Sequence, residues 1–417
     1  MTKKDGFINL AMLLLAWYPI LNIYKSPLPL GYGSILLLIL WMVSLSRGTS
    51  IRKSLLLPRQ YYVFWAWCAI AYFMSYLPQL KFGALIPGGF NLFIFSITLG
   101  FLLSVFDVET FKRHTKVVVF VAGAILVFQE VLYFTTGSRP IFLLPFGQPM
   151  DEITMPELIA DQMKMDRSSS LFREPAHFAQ YLLPILCLEL FSERNKEKLL
   201  TPYSIFIIAI LVLLRSGNGF LGLVVLLIVK VWTFLRNVRV GTKILAIVIV
   251  APLTFYAVSS YVSTEVGAAM LERTNELEND DSAASYIRVY RGYALYSELP
   301  LTNQLVGIND ERLMQIIPRT SIAYLFAGTQ TNDTYMNGVQ AVMIHQGLIG
   351  LLICIWMFIS LARRRPLQGK MQIWLLLLLS LVGQTFMSNP MLYCMLLCIG
   401  YKSLKTYETS LLHKTRI

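Results

Sequence analysis

Apolar residues run along this chain in long blocks separated by short polar breaks. A helix needs about 20 predominantly apolar residues to cross a hydrocarbon core. The blocks predict twelve spanning helices, over 6–24, 29–46, 61–78, 89–106, 117–134, 175–191, 203–216, 219–236, 244–260, 337–362, 371–388 and 390–404. Spans 203–216 and 219–236 are separated only by the turn Arg215-Ser216-Gly217-Asn218-Gly219. The breaks alternate in character. With the N-terminus inside, every inner segment is short and basic, from Lys112, Arg113 and Lys116 to Arg363, Arg364 and Arg365. These inner segments hold two thirds of the 36 Lys and Arg residues, the inside-positive pattern. Both termini then face the cytoplasm. Two segments on the other side are long, 135–174 and 261–336. The chain thus reads as an all-α polytopic membrane protein, a single integral membrane domain over 1–417. No internal repeat of the kind that marks many transporters is visible.

Composition sharpens this picture. Of 417 residues, 56% are hydrophobic and only 14% charged, where a soluble domain carries about 25% charged. That excludes an ordinary water-soluble globule and a disordered chain. The net charge of +12 would suit a nucleic-acid binder, but the basic residues sit at inner span ends instead. The five cysteines, Cys68, Cys187, Cys354, Cys394 and Cys398, lie inside apolar runs without metal-ligand spacing. They read as small packing residues. No GxxxxGK[ST], HExxH or GxSxG motif is present, and no carboxylate pair has the spacing of a metal-dependent glycosyltransferase. No metal or cofactor is expected.

Candidate chemistry gathers at the outer span ends. Arg167-Ser-Ser-Ser-Leu-Phe-Arg173-Glu174-Pro175-Ala-His177 sits where the first long segment enters a span. Pro175 suits a first helical position. The free N–H groups and positive dipole end there, beside Arg173, would hold an anion such as a pyrophosphate. Arg173 and His177, four apart, share a helical side if the helix reaches back to Arg173. Glu174 would instead serve as a base towards a hydroxyl. The bland alternative is a capped helix entrance with snorkelling charges. Arg215 stands at the second such entrance, where Ser216 or Asn218 would cap the next helix. Its alternative is a hairpin anchored at the headgroups.

In the second long segment, Tyr286, Tyr290 and Tyr293 fall on one side of a helix, with Arg288 and Arg291 roughly opposite. That pattern fits a membrane-surface helix as well as a ligand site. Pro300 to Gly307 reads as a returning turn. Asn337, Ala341 and His345 share one face of the next span. His345 should face the bundle interior or a wet cavity, or make a helix–helix hydrogen bond. Gly347 and Gly350 permit close helix approach. Glu130 either pairs with a buried cation or sits near the outer end. Glu189 should reach the inner interface.

The twelve spans, the two long outer segments, the Arg167-to-His177 entrance and the Asn337-to-Gly350 span resemble the Wzy-type bacterial polysaccharide polymerases. These make O-antigen, capsule and exopolysaccharide, and are related to the O-antigen ligases. The resemblance implies a GT-C-like fold in the bacterial inner membrane. It implies a metal-independent, inverting glycosyltransferase that polymerises undecaprenyl-diphosphate-linked repeat units at the outer face. A flippase and a chain-length regulator would be its protein partners. Arg167, Arg173, Arg215, Arg288 and Arg291 would hold the diphosphate and glycan, with Tyr290 and Asn337. Glu174, His177 or His345 would handle the acceptor proton. The ligase branch places a His just before the Asn equivalent to Asn337. Here that position is Met336, which argues against a ligase. From another class, a transporter or lipid flippase would instead show midplane charges and repeated halves.

Overall fold

The computed structural model describes residues 3–25, 31–46, 58–76, 97, 100–142, 148–149, 159, 167–237, 290–326, 336–363 and 365–383. The described residues are mostly helical. In chain order the helices are α1 (Lys3–Leu21), α2 (Tyr32–Ser46), α3 (Arg59–Tyr76), α4 (Val108–Thr136), α5 (Pro175–Leu190), α6 (Pro202–Leu213), α7 (Gly217–Asn237), α8 (Gly292–Glu298), α9 (Leu301–Val306), α10 (Asp310–Ile316), α11 (Gly338–Arg363) and α12 (Leu367–Val382). A two-residue antiparallel pairing, Tyr24–Lys25 with Gln148–Pro149, ties the end of α1 to the first long segment.

Three of these helices, α4, α7 and α11, are long and apolar enough to cross a membrane, and α1, α2, α6 and α12 are shorter apolar helices. Their outward faces carry Phe128, Val131, Phe134, Ile228, Trp232, Leu352, Trp356 and Ile359. Their buried faces hold polar residues such as Gln129, Gln340 and Gln372. A helix bundle with apolar residues outside and polar contacts within suits a lipid solvent. The chain is a helical membrane protein of this kind. The expected spans 244–260 and 390–404 lie outside the described residues, as does most of 89–106.

Local chemistry explains the element ends. Asp107 caps α4 by accepting from the Thr110 N–H at 2.8 Å, and Gly137 closes it with φ of 70°. The span expected at 117–134 therefore begins nine residues earlier. Its 29 residues reach about 44 Å at 1.5 Å each, beyond a core of about 30 Å. Lys112, Arg113 and Lys116 thus form its first turns, not a loop. Pro175 starts α5, and a reciprocal Thr201–Ser204 capping box starts α6. With 12 residues, α6 is shorter than the expected 203–216 and reaches only about 18 Å. Pro300 to Gly307, expected as a turn, instead contains helix α9.

The central helix is α5, buried along nearly all of its length. On one side α7 runs parallel to it, so closely that a methyl on Gly219 or Gly222 would collide with Ala179 or Leu183. Antiparallel α12 ties to it from the other side. Gln372 Nε2 donates to the Pro184 carbonyl at 2.8 Å, and Gln368 Nε2 to Leu188 at 3.0 Å. The Tyr181 hydroxyl reaches Ala16 O of α1 at 2.9 Å. Cys68, Cys187 and Cys354 are buried free thiols.

Candidate functional site

Three helices begin together. Gly338, at the start of α11, donates its N–H to the carbonyl of Gly383 at 2.8 Å. A methyl on Gly383 would lie 3.1 Å from the Gln180 amide nitrogen in α5 and 3.4 Å from that of Asn218 in α7. The starts of α5, α7 and α11 therefore converge on the end of α12. Each start presents the positive end of a helix dipole.

Around the α5 start, most of the serine-rich motif is structural. Ser168, Ser169 and Ser170 are buried. Ser170 has φ of 58°. Its N–H donates to Gln129 Oε1 at 2.9 Å and its hydroxyl to Ala122 O at 2.6 Å. Phe172 stacks on Phe178 with centroids 4.5 Å apart. These contacts pin Ser170 to α4 and Phe172 to α5, and leave Arg173, Glu174 and His177 half-buried at the helix mouth. Glu174 is the N-cap residue, yet its carboxylate makes no bond to its own helix.

Beside this mouth lies a charged cluster. Arg215 adopts a left-handed φ of 47° in the turn between α6 and α7. Its guanidinium binds the Glu130 carboxylate at 2.6 Å, and Arg167 donates to its carbonyl at 2.9 Å. Arg139 approaches Glu130 at 3.8 Å and lies 3.4 Å from the centroid of the Tyr133 ring. Of the readings open for Glu130, the structure shows the ion pair. Two guanidiniums on one carboxylate, with that of Arg167 at the Arg215 carbonyl, leave the cluster with net positive charge. Ser216, not Asn218, caps α7, accepting from the Gly219 N–H at 3.4 Å.

At the α11 start, Asn337 and Gln340 form a reciprocal cap. Asn337 Oδ1 accepts from the Gln340 N–H at 2.9 Å, and Gln340 Oε1 from the Asn337 N–H at 3.2 Å. Arg291 is wholly buried, 4.7 Å from the centroid of the Phe326 ring. Gly292 presses against the Gln340 side chain, which brings Arg291 to the α11 start. Tyr290 is exposed. Arg288 and Tyr286 lie outside the described residues.

His345 takes a different place. Its Nδ1 donates to the Ile308 carbonyl at 2.9 Å, and Nε2 lies 3.4 Å from Asp310 Oδ1. The structure engages it with the segment after α9, two turns along α11 from the converging starts. There α11 breaks at Gly347, with φ of 69° and ψ of −176°. Gly307, with φ of 99°, packs against the break, and a methyl on either glycine would collide with backbone of the other segment. Ile308 N–H donates to the Ile344 carbonyl at 2.9 Å, and Trp67 Nε1 to that of Gln346 at 2.8 Å.

The site thus draws together Arg167, Arg173, Glu174, His177 and Arg215 on one side. Arg291 and Asn337 stand on the other, across Gly383. Sequence reasoning missed Arg139, Gln180 and Gln340. The signal for Arg139 was a cation two residues past a helix-ending glycine, at the same end as Glu130. Gln340 stands three residues after Asn337, the spacing of a capping box.

A family model described as WcaD colanic acid polymerase matches residues 11–401 of the chain. No curated protein matches it.

Proposed function

The chain belongs to the WcaD colanic acid polymerase family, and from that premise we propose that it joins lipid-linked oligosaccharide repeat units at the converging helix starts. Polysaccharide polymerisation is the family's activity and agrees with the Wzy-type resemblance. The finer reading is ours. The substrate is an undecaprenyl-diphosphate-linked glycan at the outer face of the bacterial inner membrane, within a GT-C-like fold of about twelve spans.

The observation that carries this reading is the meeting of three helix N-termini with an arginine cluster. A diphosphate leaving group needs both. Arg173 and Arg215, with Arg288 and Arg291, offset the charge that grows on it as the glycosidic bond breaks. Arg167 supports Arg215 through its carbonyl. Glu174, half-buried and not engaged by its own helix, takes the proton of the acceptor hydroxyl, with His177 one turn along to orient it. The acceptor oxygen bonds to the anomeric carbon from the face opposite the diphosphate. The carbon–oxygen bond to the diphosphate breaks, and its electron pair leaves with the phosphate. Tyr290 offers a ring to the glycan. Asn337 shapes the α11 start, and His345 positions the segment after α9.

The test is complementation of a polymerase-deletion strain, read as the ladder of lipid-linked glycan with protein level checked. Wild type restores the ladder. Glu174→Gln and Arg173→Ala leave single repeat units. A full ladder from both variants overturns the site. A deletion strain that still makes long, carrier-bound polymer indicates a ligase, and one lacking even single units at the outer face indicates a transporter.

A further inference from the structure

At the end of the bundle opposite the converging starts lies a cavity of about 370 Å³. Its walls come from the first turns of α4 and from the link after α5. Lys112, Arg113, Lys116 and Arg194 line it with Glu109 and Glu189. Of the two carboxylates, Glu189 is committed and Glu109 is held only weakly. Glu189 accepts from Asn195 Nδ2 and from the Thr201 hydroxyl, both at 2.9 Å, and lies 3.8 Å from Lys112. Glu109 faces Arg194 at 3.9 Å in an exposed pair, which solvent weakens. Among the described residues, Arg113 and Lys116 form no ion pair. Lys116 instead stands 5.0 Å from the centroid of the Tyr203 ring.

The wall beside this cavity is apolar and faces outward. One turn along α4 from Lys116, Phe120 is 51% exposed, with Val117 and Ile205 at 54% each. Phe120 packs 4.9 Å from Phe206 and 5.7 Å from Tyr203, centroid to centroid. A cationic cavity thus lies beside an outward-facing apolar wall, joined to it through Lys116 and its neighbour Val117. A free phosphate ester would use only the first feature. An amphiphile with an anionic head and acyl chains uses both.

We propose that this cavity is a binding site for the phosphate headgroup of an anionic membrane phospholipid. The headgroup sits among Lys112, Arg113, Lys116 and Arg194, and the acyl chains lie along Val117, Phe120 and Ile205. The site is separate from the polymerising site, so its test does not depend on glycan synthesis.

The experiment uses the purified full chain in nanodiscs of phosphatidylcholine doped with phosphatidylglycerol, and reads retained lipid by native mass spectrometry. Wild type should retain phosphatidylglycerol in preference to phosphatidylcholine. Each cation near an anionic lipid is worth about fivefold, so Arg113→Gln with Lys116→Gln should lose about 25-fold. Unchanged retention in that variant, or equal retention of the two lipids by wild type, overturns the proposal. Displacement by soluble glycerol phosphate at the lipid's own affinity would also overturn it, because the chains would then contribute nothing. Should the double variant fail to purify as a single species, a salt titration of wild type decides. Phosphatidylglycerol retention must fall with salt, and salt-independent retention refutes the headgroup assignment.

Discussion

Two regions of this bundle place polar groups in an apolar setting, and they resolve the cost by different means. At the Arg215 turn the polar group is a charged side chain. Glu130, only 4% exposed at its side chain, neutralises it at 2.6 Å. At the Gly347 break the polar groups are backbone carbonyls released from the helix ladder. Ile308 N–H and the Trp67 indole take them up. Unpaired backbone in a bilayer costs several kcal/mol per group, so the break survives only because two other segments dock on it. The charge cluster depends on side-chain identity, whereas the break depends on the shape of the backbone. The first can be altered by a carboxamide, while the second tolerates almost no added atom.

The largest effect should come from the break. In Gly347→Val, a left-handed backbone costs about 1–3 kcal/mol, and a collision with Leu305 backbone is added to it. Purified yield and thermal midpoint in detergent should both fall sharply. Gly137→Ala is the control. It shares the positive φ at 70° but has open space around it, so it should cost only about 1 kcal/mol. Equal losses would show that strain, not docking, governs the break.

The charge cluster should come next. Glu130→Gln leaves Arg215 and Arg139 without their carboxylate, and breaking a buried pair costs about 3–5 kcal/mol. Because Arg215 keeps 18% side-chain exposure, the loss should sit near the lower bound. Combining it with Arg215→Gln should restore more than half of the thermal midpoint. If the double variant is no better than the single one, the pair is not the source of the effect.

A smaller loss should follow at the cap of α11. Asn337→Ala removes the acceptor for the Gln340 N–H and should cost about 1 kcal/mol. Asn337→Asp should retain most of that stability. Comparing the glycan ladders of the two variants then separates a cap from a substrate contact, since a cap tolerates aspartate.

The smallest effect lies on the segment that docks near the break. The Ser321 hydroxyl and N–H both donate to Glu298 and hold its carboxyl below the usual 4.5. A depressed folded value means the contribution is present above pH 4.5 and fades as pH falls below it. Glu298→Gln should flatten that acid limb of the thermal midpoint and leave the neutral range unchanged. An unchanged acid limb would remove Glu298 as its source.

The legible parts of the sequence were those that one stretch of chain decides alone. Pro175 opening α5 and Ser216 capping α7 are local signals, and the apolar blocks follow from length and composition. The early start of α4 escaped because Lys112, Arg113 and Lys116 read as a loop. They continue a helix whose cap, Asp107, lies further back. Pro300 to Gly307 escaped because a six-residue helix has too few turns to show a period. At the site, Arg167, Arg173, Glu174 and Arg215 were visible as charges in the wrong place for an inner loop. Arg139 was not, because its place just past the glycine that ends α4 shows a cation at that end but not that it turns back onto Glu130.

The sequence by itself determined that this is a helical membrane protein, roughly where most of its long apolar helices run, and which unusual charges need partners. Hydropathy, capping and charge are properties of neighbouring residues, so they can be read in one dimension. Only the tertiary structure decided that Glu130 answers Arg215 from 85 residues away, that Gly307 meets Gly347, and that three helix starts converge on Gly383. Those contacts join residues far apart in the chain. Close packing selects among the many possible pairings, and no local pattern encodes which of them is made.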